Sequence, residues 1–112
     1  MSVPARGDLV VMDFDPQAGH EQAGRRPAIV LSELAFNQLT GFAVMCPITS
    51  NAKNYPFEVT VPEGLPVSGV VLTDQLKSLD YIKRRVRIIG SVQPEHESFL
   101  KAVLRNARAI LA

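Results

Sequence analysis

Pro94-Glu95-His96-Glu97-Ser98-Phe99-Leu100-Lys101-Ala102-Val103-Leu104-Arg105-Asn106-Ala107-Arg108-Ala109-Ile110-Leu111 closes the chain, with apolar residues at Phe99, Leu100, Val103, Leu104, Ala107, Ile110 and Leu111. That spacing is the stripe of an amphipathic helix. Glu95 and Glu97 lie toward its start and Lys101, Arg105 and Arg108 toward its end, the order the helix dipole favours. Before it the chain reads as short extended pieces. Val86–Val92, Gln75–Leu79 and Gly69–Thr73 are brief apolar runs, and Pro62–Ser68 is a turn-rich connection. Phe57–Val61 alternates as a half-buried strand does. Phe42–Ile48 is a longer apolar run, and Ser32 is placed to cap a short helix to about Leu39 that Thr40-Gly41 ends. Pro27–Leu31 is a strand with proline at its first position, where no ladder donor is needed. Leu9–Phe14 is another, stopped by Asp15-Pro16. Strands first and one long helix last predict a mainly β fold with appended helices, a small β-barrel and not a βαβ unit.

The composition agrees. The 112 residues are 46% hydrophobic and 21% charged, close to the average of soluble globular domains, with only eight prolines and seven glycines. The length fits one domain spanning 1–112. A net charge of +1 supplies no global basic field, so any nucleic-acid binding needs a local patch. Cys46, the single cysteine, lies in an apolar run and reads as an inert small hydrophobe. One cysteine and two distant histidines offer no zinc spacing, so no metal is expected. With no apolar N-terminal region and no run of about 20 apolar residues, the expected location is the cytoplasm, away from membranes.

Three places gather chemistry. His20-Glu21-Gln22-Ala23-Gly24-Arg25-Arg26 puts an imidazole, a carboxylate, an amide and two guanidiniums beside glycine. Adjacent arginines suit phosphate, whose oxygens the planar fork binds two at a time. The plainer reading is an exposed, mobile loop over residues 17–25 whose arginines pair with Asp13, Asp15 or Glu21. At Pro47-Ile48-Thr49-Ser50 two hydroxyls emerge from an apolar strand, fit for a phosphate oxygen, a 2′-hydroxyl or an ordinary turn bond. At Thr73-Asp74-Gln75-Leu76-Lys77, Asp74 is either a base or a turn acceptor. Lys77, Lys83, Arg84, Arg85 and Arg87 form a basic stretch, either a charged edge strand or a phosphate track with Tyr55 or Phe57 for base stacking.

These fragments also occur in a known order. Gly7-Asp8-Leu9, Asp13-Phe14-Asp15-Pro16, Gly19 through Ala28, Pro47-Ile48-Thr49, Tyr55-Pro56-Phe57-Glu58-Val59 and Gly69-Val70-Val71…Asp74-Gln75 resemble the MazF/PemK (Kid) toxin family across essentially the whole chain. The resemblance implies an SH3-like, CcdB-like barrel that forms homodimers. It implies a metal-independent, sequence-specific endoribonuclease of single-stranded RNA that needs no cofactor and is silenced by a cognate MazE-like antitoxin. Arg26 matches the family's catalytic arginine and Thr49 its catalytic threonine. Glu21, Gln22, Lys53, Asp74, Gln75 and Lys77 match positions tied to RNA recognition or support, with Arg25 and Ser50 beside them as substrate-binding candidates. His20 and Asp74 match the acid–base pair of the Kid branch, but Leu72 stands where that branch has an arginine, so the weight falls on Arg26 and Thr49.

The chemistry asks for the same residues. Metal-free cleavage uses the RNA's own 2′-hydroxyl as nucleophile, so the protein must move two protons and stabilise a phosphorane. Arginine stays charged, which makes Arg26 a clamp on developing negative charge and not a base. His20 and Glu21 are the alternatives for the base, and His20 titrates nearest neutrality. The alternative function is a CcdB-like toxin that binds DNA gyrase without catalysis; fold alone does not separate the two.

Overall fold

The computed structural model describes residues 2–14 and 25–111. In chain order its elements are β1 (Asp8–Asp13), β2 (Arg25–Val30), α1 (Leu34–Thr40), β3 (Phe42–Thr49), β4 (Glu58–Thr60), β5 (Val70–Leu72), a 3₁₀ turn at Thr73–Gln75, β6 (Lys77–Asp80), β7 (Arg87–Ser91) and α2 (Glu97–Leu111). Every strand pair is antiparallel, in the order β4-β5-β3-β2-β1-β7 with β6 also on β3. Among the described residues β4 and β7 do not pair, so the expected small barrel is realised as a sheet that stops short of closing. The residues expected to form the exposed loop, 17–24, lie outside the described ones; Arg25, counted with that loop, begins β2.

The apolar runs become the three central strands because neighbouring side chains point to opposite faces and both faces are covered. Leu9, Ile29 and Cys46 join the cluster that Phe99, Leu100, Val103 and Ala107 of α2 complete. Val10, Val30 and Met45 join the other, with Leu79, Tyr81 and Val86. Burying a side chain of this size contributes about 1.5–3 kcal/mol, enough to override weak local preferences.

Strand β3 changes partner along its length, with Met45 level with Lys77 of β6 and Ile48 level with Val71 of β5. Pro47 marks the change. The Val44 carbonyl accepts the Leu31 amide, so Val44 turns its backbone groups toward β2 and Pro47, three residues on, turns its own the other way. The missing N–H of Pro47 therefore faces the gap between ladders.

Several local expectations are corrected. Ser32 does not cap α1: Glu33 is the N-cap residue and makes no side-chain cap bond. The Ser32 hydroxyl instead donates to Asn37 Oδ1 and accepts the Val44 amide at 2.8 Å, because a buried asparagine needs an acceptor's partner more than a surface helix end needs a cap. Gly41 ends the helix as expected, at φ +76°. Gln75 falls in the 3₁₀ turn and not in a strand, and Pro94–His96 forms a turn ahead of α2. Of the basic stretch, Lys83, Arg84 and Arg85 lie in the turn at 81–85, leaving Lys77 on β6 and Arg87 on the edge strand β7.

Candidate active site

The register of the sheet brings Arg26 and Thr49 together. Ala28 is level with Pro47 and Ile29 with Cys46, and continuing the antiparallel count by two sets Arg26 level with Thr49. Both line a cleft of about 440 Å³ with Gln75 from the 3₁₀ turn, Lys77 from β6, and apolar walls from Phe14, Pro47, Ile48 and Leu72. A second hollow of about 400 Å³ shares Thr49, Leu72 and Gln75 and continues past Asn51, Lys53, Tyr55 and Glu58. Together they form one groove that carries Arg26, Lys53 and Lys77.

Backbone contacts fix Thr49. Its Oγ1 accepts the Asn51 amide at 3.1 Å, which leaves the hydroxyl proton available for an incoming oxygen. Gly69 approaches from β5 at φ +122°, where any Cβ would collide with the Thr49 carbonyl oxygen, so the close approach requires glycine. The loop that carries Lys53 is tied down by Glu58, whose carboxylate accepts the Lys53 and Asn54 amides, each at 2.9 Å. That tie is the reason a carboxylate stands in a groove whose other charged residues are cations. Glu58 alternates with Val59 in a short strand and so reads from sequence as a solvated side chain; the one sign of its role is a carboxylate just after the Asn54-Tyr55-Pro56 loop, in reach of its free amides.

The other candidates divide. Tyr55 donates its hydroxyl to Asp74 at 2.8 Å, and the accepting carboxylate pushes the phenol's pKa up. Asp74 is exposed and is not part of the groove lining, nor is Ser50. Arg25 points away, donating to the Arg85 carbonyl at 2.8 Å and to Asp13 at 3.4 Å, the pairing that the plainer reading of the loop expected. His20, Glu21 and Gln22 lie outside the described residues. Cys46 is fully buried, and burial followed by the charge of Asp74 pushes its thiol up to about 12, which makes it no nucleophile. Among the described residues no three His, Cys, Asp or Glu side chains gather as a metal site, and no helix is long and apolar enough to cross a membrane.

A groove carrying three cations and a fixed hydroxyl, laid across an open antiparallel sheet, has the chemistry to hold a phosphodiester chain. Comparison with known proteins names the family. The family described as PemK-like, MazF-like toxin of type II toxin-antitoxin system matches residues 5–110, and the chain belongs to it. The endoribonuclease toxin MazF of Escherichia coli is 46% identical over 100 residues, covering 89% of each chain. The endoribonuclease PemK of Escherichia coli is 34% identical over 110 residues, covering 95% of this chain and 80% of its own. Among solved structures, MazF from Deinococcus radiodurans superimposes with a TM-score of 0.87 at 49% identity, covering 99% of this chain and 98% of the other. These relatives are nucleases by name, which favours that reading over a non-catalytic gyrase binder.

Proposed function

We propose that this chain is the toxin of a type II toxin–antitoxin pair, a sequence-specific endoribonuclease that cuts single-stranded RNA, messenger RNA above all, in the groove between β2, β3 and the 3₁₀ turn. The convergence of Arg26 and Thr49 on one cleft carries the reading. The 2′-hydroxyl of the substrate attacks its own phosphorus and the 5′-oxygen of the next nucleotide leaves, giving a 2′,3′-cyclic phosphate and a 5′-hydroxyl end. One proton goes from the nucleophile to a base and one is delivered to the leaving oxygen. Arg26 binds the oxygens that gain charge, and Thr49 donates to one of them or orients the 2′-hydroxyl. Lys53 and Lys77 hold flanking phosphates, and Gln75 is an amide for reading a base edge. His20 and Glu21 are the candidates for the proton transfers. Asp74 is the weaker one, since Tyr55 occupies it outside the groove.

A MazE-like antitoxin is the expected partner: one of the matching solved structures is a MazE–MazF complex from Deinococcus radiodurans, with a TM-score of 0.84 at 42% identity over 100% of this chain and 98% of that one. The functional unit is a homodimer of single-domain chains working in the cytoplasm, with neither metal nor other cofactor. Incubating the chain with long RNA in EDTA and sequencing the new ends tests the reading. Cleavage at a recurring short word, with cyclic-phosphate ends, is expected. Full activity of Arg26→Ala, or a requirement for Mg²⁺, would overturn it.

A further inference from the structure

We propose that Asp13 is a positioning residue, which aims Arg26 into the groove by holding Arg25 on the opposite face of β2; this rests on the nuclease reading above. Asp13 ends β1 and lies level with Arg25, while Met12 lies level with Arg26. Its carboxylate is 17% exposed and accepts from two guanidiniums, Arg85 at 3.1 Å and Arg25 at 3.4 Å. The backbone joins in from both sides. The Asp13 amide donates to the Arg84 carbonyl at 2.9 Å, and the Arg84 guanidinium returns to the carbonyls of Asp13, at 3.2 Å, and Phe14. Arg25 in turn donates to the Arg85 carbonyl.

The turn at 81–85 thus grips both stems of the segment that joins β1 to β2, at Asp13-Phe14 and at Arg25. Arg85 adopts φ +56°, which a residue other than glycine rarely takes, and it holds that shape where its carbonyl meets Arg25 and its side chain meets Asp13. Successive residues of a strand point to opposite faces, so pinning Arg25 to Asp13 directs Arg26 toward Thr49. With the pin removed, the exposed first residues of β2 are free to twist, and the guanidinium of Arg26 loses its alignment with the scissile phosphate. A misplacement of about 1 Å can cost up to about a hundredfold in rate.

The test is a set of paired substitutions assayed at saturating RNA, with circular dichroism and thermal melting to check folding. Asp13→Asn should lower kcat about tenfold with KM nearly unchanged, as expected when only transition-state alignment is lost. Asp13→Glu should restore part of the rate. In an Arg26→Ala background Asp13→Asn should cost nothing further, because the group it aims is gone. Arg85→Gln, at a side chain 73% exposed and so safe for folding, should cost about threefold and show the same dependence on Arg26. An unchanged kcat in both folded variants, or an equal loss with and without Arg26, overturns the proposal while leaving the nuclease reading intact. Failure of the unmodified chain to cleave RNA overturns both.

Discussion

Arg25 and Arg26 are neighbours in sequence and opposites in use. Arg25 is committed: a carboxylate and the carbonyls of Val11 and Arg85 accept its protons. Arg26, one residue on, faces a cleft, and among the described residues no carboxylate lies within ion-pair distance of it. A guanidinium satisfied by its own protein stabilises a fold a little, whereas one that lines a cleft has its donors free for the phosphate of the proposed reaction. The difference comes from the two-residue period of a strand. Two identical side chains are thereby sent to opposite faces of one strand.

Substitutions can break that contrast. Arg26→Ala should lower kcat by about 10²–10³ while the melting temperature stays put, and Lys should recover only part of it, since a point charge lacks the two-pronged geometry. A stability loss as large as the activity loss would erase the distinction between the two arginines. Thr49→Val, which keeps shape and removes the hydroxyl, should cost about 10² in kcat with stability retained. Gly69→Ala should reduce activity through the displaced Thr49 carbonyl and destabilise the chain by about 1–3 kcal/mol, measured by urea unfolding. Arg25→Ala should give a milder version of the Arg26→Ala effect, an activity loss near that of Asp13→Asn with a stability loss of no more than about 1 kcal/mol.

The smallest effect concerns pH. Accepting its hydrogen bond, Asp74 raises the Tyr55 phenol above its ordinary value of 10.0 in the folded chain. The folded state then holds the proton longer than the unfolded state, so the contribution is complete below about pH 10 and fades as pH climbs through the folded value. Tyr55→Phe should lower stability slightly at neutrality, where the bond is intact, and flatten the profile on the alkaline side, where the parent chain loses it. A steeper alkaline loss in the Phe variant would contradict the hydrogen bond.

Much of this was legible in the sequence, and the reasons differ by element. Leu9–Met12, Ala28–Val30 and Ala43–Ile48 announce themselves because strands buried on both faces must be apolar throughout, and α2 because its stripe repeats over four turns. Arg26, Thr49, Gln75, Lys53 and Lys77 were named from motif order, and the groove does bring them together. The use of Ser32 was not legible, because its partners Asn37 and Val44 are set by packing between α1 and β3. The pinning of Arg25 by Arg85 joins residues sixty positions apart, which no local pattern contains. Asp74 reads equally as base or turn acceptor until Tyr55 is seen to occupy it.

The change of partner along β3 has a mechanical meaning. Its first half is stitched into a broad ladder with β2 and β6, whereas its last residues hold β5 and, through it, β4, each only three residues long. The far half of the groove therefore hangs from the thinnest part of the sheet, where only Ile48 and Thr49 of β3 pair with β5. Amide exchange would separate the two as tiers, fast at Val70–Leu72 and slow at Ile29–Leu31. The groove thus straddles a boundary, and Thr49 is the joint between a ladder expected to stay shut and one expected to open first.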